Sequence, residues 1–171
     1  IVEKLNQPIR VDDAPERVTL CLQALALFER DEDPSLWADL HIILGNNLTR
    51  SPYDRSAQSF AEAVGHFEQA LHVYTKEKSP KDWAFIHTKL GDLCRTTSSE
   101  PRDEMLVQAT LNYQRALEVY NLEENSSEWA MINANLALCF QSMGGDINEL
   151  KQAIHHYRQA LMVYTLPAFP R

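Results

Sequence analysis

The side chains best equipped for chemistry in these 171 residues are six histidines, three cysteines and 24 acidic residues. Their spacing argues against a catalytic or metal centre. His41 and His87 stand 46 residues apart at matching points of a repeat, which favours a packing or polar-face role over a ligand role. His155 and His156 are adjacent, so on a helix they point to different sides, whereas paired helical ligands sit four residues apart. Asp12-Asp13 and Asp31-Glu32-Asp33 read as solvated turns. Cys21, Cys94 and Cys139 are odd in number and fall on apolar helix faces, as buried free thiols of a reducing compartment do. There is no Gly-x-Gly-x-x-Gly, phosphate loop or serine-centred elbow. The expectation is a chain that is not an enzyme and needs no cofactor or metal.

What places these residues is periodicity. Trp37, Trp83 and Trp129 lie 46 residues apart, each followed by alanine. Ahead of them recur Ala24-Leu25 with Phe28, Ala70-Leu71 with Tyr74, and Ala116-Leu117 with Tyr120; a fourth copy, Ala160-Leu161 with Tyr164, comes after 44. A fixed period of this size marks a repeat array, whose units bury their apolar faces against their neighbours. The tyrosines of this ladder read as core or interface aromatics.

The second unit shows the local logic. From Ala61 to about Lys76, Val64, Phe67, Leu71 and Tyr74 recur at three- and four-residue steps, one face of an amphipathic helix. After a polar break, Ser79 and Pro80 predict a capped start for a second helix through Trp83, Ile86, Leu90 and Cys94, ending near Thr96. The third unit repeats the pattern, with Asn125 and Glu128 as cap residues and Gly144-Gly145 as the stop. Asp33-Pro34 caps the first Trp-bearing helix, and a last helix spans about Ile147 to Thr165. Ala63/Ala70, Ala109/Ala116 and Ala153/Ala160 sit two turns apart and let helix axes approach, beside Phe67, Tyr113 and Tyr157. Gly45 and Gly91 serve the same end, with Ala137 in the third unit.

The residues Leu44-Gly45, Leu90-Gly91 and Leu136-Ala137, followed by Ala63/Phe67/Ala70, Ala109/Tyr113/Ala116 and Ala153/Tyr157/Ala160, resemble the tetratricopeptide (TPR) repeat. The usual TPR unit is about 34 residues, and this chain adds about a dozen per cycle, as do long variants common in bacterial multidomain proteins. The resemblance covers about Pro15 to Pro170. It implies an all-α fold, a right-handed α-α superhelix (a TPR-like solenoid) of about seven helices and three and a half repeats. Residues 1–14 would be an extension or the end of a preceding helix, with Ile1 to Leu5 as that helix end and Pro8 to Ala14 a linker, and 15–171 the array. Opening on Ile1, with Pro170 in register with Pro34 and Pro80, the chain reads as part of a longer protein.

The family geometry implies that the Trp-bearing helices line a concave face. The residues facing it would be Asp39, Ile42, Asn46 and Arg50; Phe85, Thr88, Lys89, Asp92 and Arg95; and Met131, Asn135, Leu138 and Gln141. Asn46, Lys89 and Asn135 suggest a clamp for a peptide carboxylate, but Ile42, Thr88 and Ala134 stand where clamp lysines are wanted. The formal charge of −8, with no Lys/Arg run, argues against nucleic acid. No apolar stretch is long enough to span a bilayer, and no signal-peptide pattern opens the chain, which predicts a cytoplasmic protein. The expected function is a non-catalytic scaffold for a peptide or protein segment. The alternative is a structural or regulatory arm of a signalling protein, joined to a caspase-like or nucleotide-binding domain, or self-association through the C-terminal end, where Tyr157, Leu161 and Tyr164 lack a following helix.

Overall fold

The computed structural model of the chain describes residues 14–27, 29–50, 57–97 and 101–164. The expected helix end Ile1 to Leu5, residues 8–13 of the expected linker with Asp12-Asp13, and Phe28 and Pro170 lie outside the described residues, while Ala14, the last residue of that linker, opens the first helix. Among those described there are seven helices and no strand: α1 (Ala14–Leu25), α2 (Pro34–Arg50), α3 (Ala57–Leu71), α4 (Pro80–Thr96), α5 (Arg102–Leu117), α6 (Ser126–Met143) and α7 (Ile147–Tyr164). Two compact units divide within α4, residues 1–86 and 87–171. In the first, α1 packs on α2 and α2 on α3; in the second, α5 packs on α6 and α6 on α7. No helix among the described residues is long and apolar enough to cross a membrane.

Helix starts follow the local chemistry. Pro34 and Pro80 open α2 and α4, where a missing N–H costs nothing. The Asp33 carboxylate accepts the Leu36 amide at 3.0 Å, capping α2. At α7 Asp146 accepts the amides of Asn148 and Glu149, and Glu149 reaches back to the amides of Gly145 and Asp146, a reciprocal capping box. Asn125 departs from expectation: it occupies the N-cap of α6 but makes no side-chain cap bond. The preceding turn is held by Asn121 instead, which accepts the amides of Glu123 and Glu124. Gly144 closes α6 at φ 56°, a left-handed conformation that favours glycine.

The helix expected to reach Lys76 ends earlier, at Leu71. The His72 and Val73 amides bond to carbonyls three residues back, tightening the last turn, and Tyr74 follows outside the helix. Glu118, Val119 and Tyr120 repeat this after α5. A second recurrence lies in the loops that lead into α2 and α4: the Arg30 guanidinium stands 5.9 Å from the centre of the Trp37 ring, and the Lys76 ammonium 5.9 Å from that of Trp83.

Close approach of the helices rests on the small residues. All six stripe alanines are buried. A Cβ on Gly45 would come within 2.9 Å of the Phe67 ring, and one on Gly91 within 2.7 Å of Tyr113. Each hairpin also holds one polar rung. His41 Nδ1 meets His66 Nδ1 at 2.8 Å, His87 Nδ1 meets the Asn112 carbonyl oxygen at 2.8 Å, and His156 Nδ1 meets that of Asn133 at 2.9 Å. His41, His87 and Asn133 are 46 apart on the Trp-bearing helices, and their partners keep the 46- and 44-residue steps. The two expected repeat-equivalent histidines are therefore packing residues with polar partners.

Candidate functional site

The richest polar constellation lies in the second unit, on the later turns of α4 and on α5 and α6. It begins with Gly91, which lets the buried Tyr113 ring of α5 lie against the α4 backbone. That contact puts the phenol beside the next residue of α4, Asp92, to which it donates a hydrogen bond of 2.7 Å. The side-chain amide of Asn135, on α6, donates to the same carboxylate oxygen at 3.0 Å. The other oxygen faces the Lys89 ammonium at 4.0 Å, and Arg95 Nε donates to the Tyr113 hydroxyl at 3.2 Å. Arg102 closes the group, its guanidinium donating to the Arg95 and Thr97 carbonyls at 2.8 and 2.7 Å, where the end of α4 leaves acceptors open.

Electrostatics hold Tyr113 protonated and Arg95 charged near neutrality. Burial, and then the Asp92 charge, push the Tyr113 phenol far above its ordinary value, so it remains a donor. Burial opposes the charge on Arg95, yet Tyr113 and Asp92 outweigh it and raise its pKa. The counterpart of this cluster in the first hairpin has Phe67 and so no hydroxyl; in the third, the Tyr157 hydroxyl donates to Gln141 at 2.8 Å.

The residues predicted to face a ligand are distributed unevenly. Lys89, Asp92, Arg95 and Asn135 come together around Tyr113, whose spacing marks the ring as packing but gives no sign of the hydroxyl's role. Met131 and Leu138 are exposed, two turns apart on α6 with Asn135 between them, and Gln141 is exposed one turn further on. Thr88 is buried and lies beneath any such surface. In the first unit Asp39 is exposed but accepts the Tyr74 hydroxyl at 2.7 Å, while Ile42 and Asn46 are half-buried. The Arg50 side chain lies outside the described residues, and Phe85 is exposed on α4.

The first unit also carries a cleft of about 430 Å³ beside Tyr74, edged by exposed Arg30, His72 and Lys78. Arg30 there already faces Asp31 at 3.5 Å. No group of three metal-ligating side chains occurs among the described residues. Set against protein-family models, curated proteins and solved structures, the chain matches none of them.

Proposed function

We propose that this chain is a non-catalytic, TPR-like helical repeat module that binds a peptide or an extended segment of a partner protein. The observation that carries this reading is the surface formed on α6 and the end of α4. Exposed Met131 and Leu138 offer two apolar footholds about 10 Å apart along one helix face, as two turns dictate. Between and beside them stand Asn135, Lys89, Asp92, Arg95 and Gln141. Apolar footholds spaced among oriented polar groups suit a peptide whose side chains anchor it and whose backbone is hydrogen-bonded.

Two features narrow the ligand. Asn135 and Lys89 already face the Asp92 carboxylate, so the chain's own acid stands where a clamped peptide terminus would go. Recognition of internal peptide side chains is therefore favoured over capture of a terminal carboxylate. The packing of Gly45 on Phe67 recurs 46 residues on as that of Gly91 on Tyr113, which is in keeping with repeated helical hairpins.

Panning a displayed random-peptide library against the 171-residue protein tests the reading. Selected peptides should lose affinity about tenfold or more on the double change Met131→Asp/Leu138→Asp, since central apolar contacts dominate such interfaces. An empty selection, or peptides that bind the double variant as well as the parent, would overturn it.

A further inference from the structure

We infer that the exposed face of α7 is a docking surface for an amphipathic helix with acidic residues along its flank, a second interaction site independent of the α4–α6 surface. Ile147, Leu150 and Ile154 fall at three- and four-residue steps on one stripe of α7 and are all exposed. Two of the same positions 44 residues earlier, on α5, are buried. Leu150 is 56% exposed and its counterpart Leu106 0%; Ile154 is 49% exposed and Thr110 7%. Within the same unit α5 is followed by a helix, α6, that packs on it. Leu150 and Ile154 thus repeat positions that α5 buries within its packed unit, and a helix is the shape that fits such a stripe.

Charge selects the kind of helix. Lys151 and Arg158 lie four residues after Ile147 and Ile154, both exposed, and form one edge of the stripe together with exposed His155. Their counterparts on α5 are Val107 and Gln114, so the helical packing itself makes no demand for cations at these places. In a chain of formal charge −8 this edge is a local basic strip. A partner helix with Glu or Asp beside its apolar face pairs with it. A second copy would bring its own Lys151 and Arg158 to the same edge, adding like-charge repulsion to that between two acidic chains.

The test is a titration, read by fluorescence anisotropy, of designed amphipathic peptides of the length of α6, 18 residues, against the whole 171-residue protein. One peptide has Leu at three- and four-residue spacing flanked by Glu; the other has Lys in place of each Glu. The Glu peptide should bind saturably and about tenfold or more tighter than the Lys peptide, with the preference shrinking as salt rises. Lys151→Glu/Arg158→Glu should reverse that preference, and Leu150→Asp/Ile154→Asp should abolish binding of both; all four side chains are exposed, and circular dichroism checks that the helices persist. The inference is overturned if neither peptide binds, or if both bind alike. It is also overturned if sedimentation shows the protein dimerising at micromolar concentration and Leu150→Asp/Ile154→Asp makes it monomeric, which assigns the face to a second copy. Met131→Asp/Leu138→Asp should leave peptide binding at α7 unchanged, so failure here and failure of the peptide-surface reading are separable.

Discussion

His41 and His66 face each other across the α2–α3 hairpin through their Nδ1 atoms, 2.8 Å apart. One ring must donate and the other accept, which two neutral imidazoles of opposite tautomer can do and two imidazolium ions cannot. Burial first, and then the His66 charge, pull His41 down to about 4. Burial also lowers His66, against a smaller raising influence from Glu62. Both folded pKa values lie below the unfolded value near 6.5. The contribution of the pair is therefore complete above about pH 6.5 and is lost as pH falls from there toward 4. His87 and His156 are lowered in the same direction, burial again the main cause.

Thermal melts should accordingly show the midpoint falling on the order of 5 °C or more between pH 7 and 5. His66→Asn, which copies the His87–Asn112 rung, should keep the fold and flatten that dependence. A melting profile equally steep in the variant would remove His66 from the account.

Gly91→Ala places a Cβ 2.7 Å from the Tyr113 ring. Relief requires the ring to move outward, as the half-buried Tyr157 opposite Ala137 illustrates. The gain in helix propensity is about 1 kcal/mol, and overpacking costs about 1–3 kcal/mol. Denaturant unfolding should show a net loss of roughly 1 kcal/mol, together with weakening of the Tyr113–Asp92 bond; an unchanged or raised stability contradicts the tight packing.

Tyr113→Phe keeps the ring, as Phe67 does in the first hairpin, and deletes the hydroxyl that Asp92 accepts and Arg95 donates to. A loss of about 1–2 kcal/mol is expected in equilibrium unfolding. Since Asn135 would still hold Asp92, adding Asn135→Ala should cost more than the two separate losses combined. Simple additivity would mean that the cluster is not cooperative.

The three thiols are buried, and burial as the main cause pushes each up to about 11. Alkylation of the native protein at pH 8 should therefore be slow and should accelerate once denaturant exposes the thiols. Rapid native labelling of any of them, read by mass spectrometry, would place it at the surface.

Some of this was legible in the chain because single residues impose it. Pro34, Pro80 and Gly144 restrict the backbone wherever they stand, and the helices begin and end at them. Gly91 was readable as a point of close approach because nothing smaller exists. The α3 boundary was misread because the apolar spacing runs on through Tyr74, while the backbone has already tightened at His72 and Val73. Asn125 has the right type and position for a cap, yet Asn121 holds that turn.

The surface was less legible than the packing. Lys89, Asp92, Arg95 and Asn135 could be assigned to the exposed side of their helices by rotation alone, but Thr88 could not be excluded by the same reasoning. The hydroxyl that joins two of them, Asp92 and Arg95, belongs to Tyr113, a residue whose spacing marks it as core.

From the residues alone came the all-helical class, the 46-residue step and the points where helices start and stop, because these depend on side-chain volume and backbone restriction counted along one chain. Which polar atoms meet was decided only by the tertiary arrangement. A bond of 2.8 Å between residues 25 apart, such as His41 and His66, depends on how two helices are rotated and offset against each other, and a periodicity measured along the sequence is blind to that rotation.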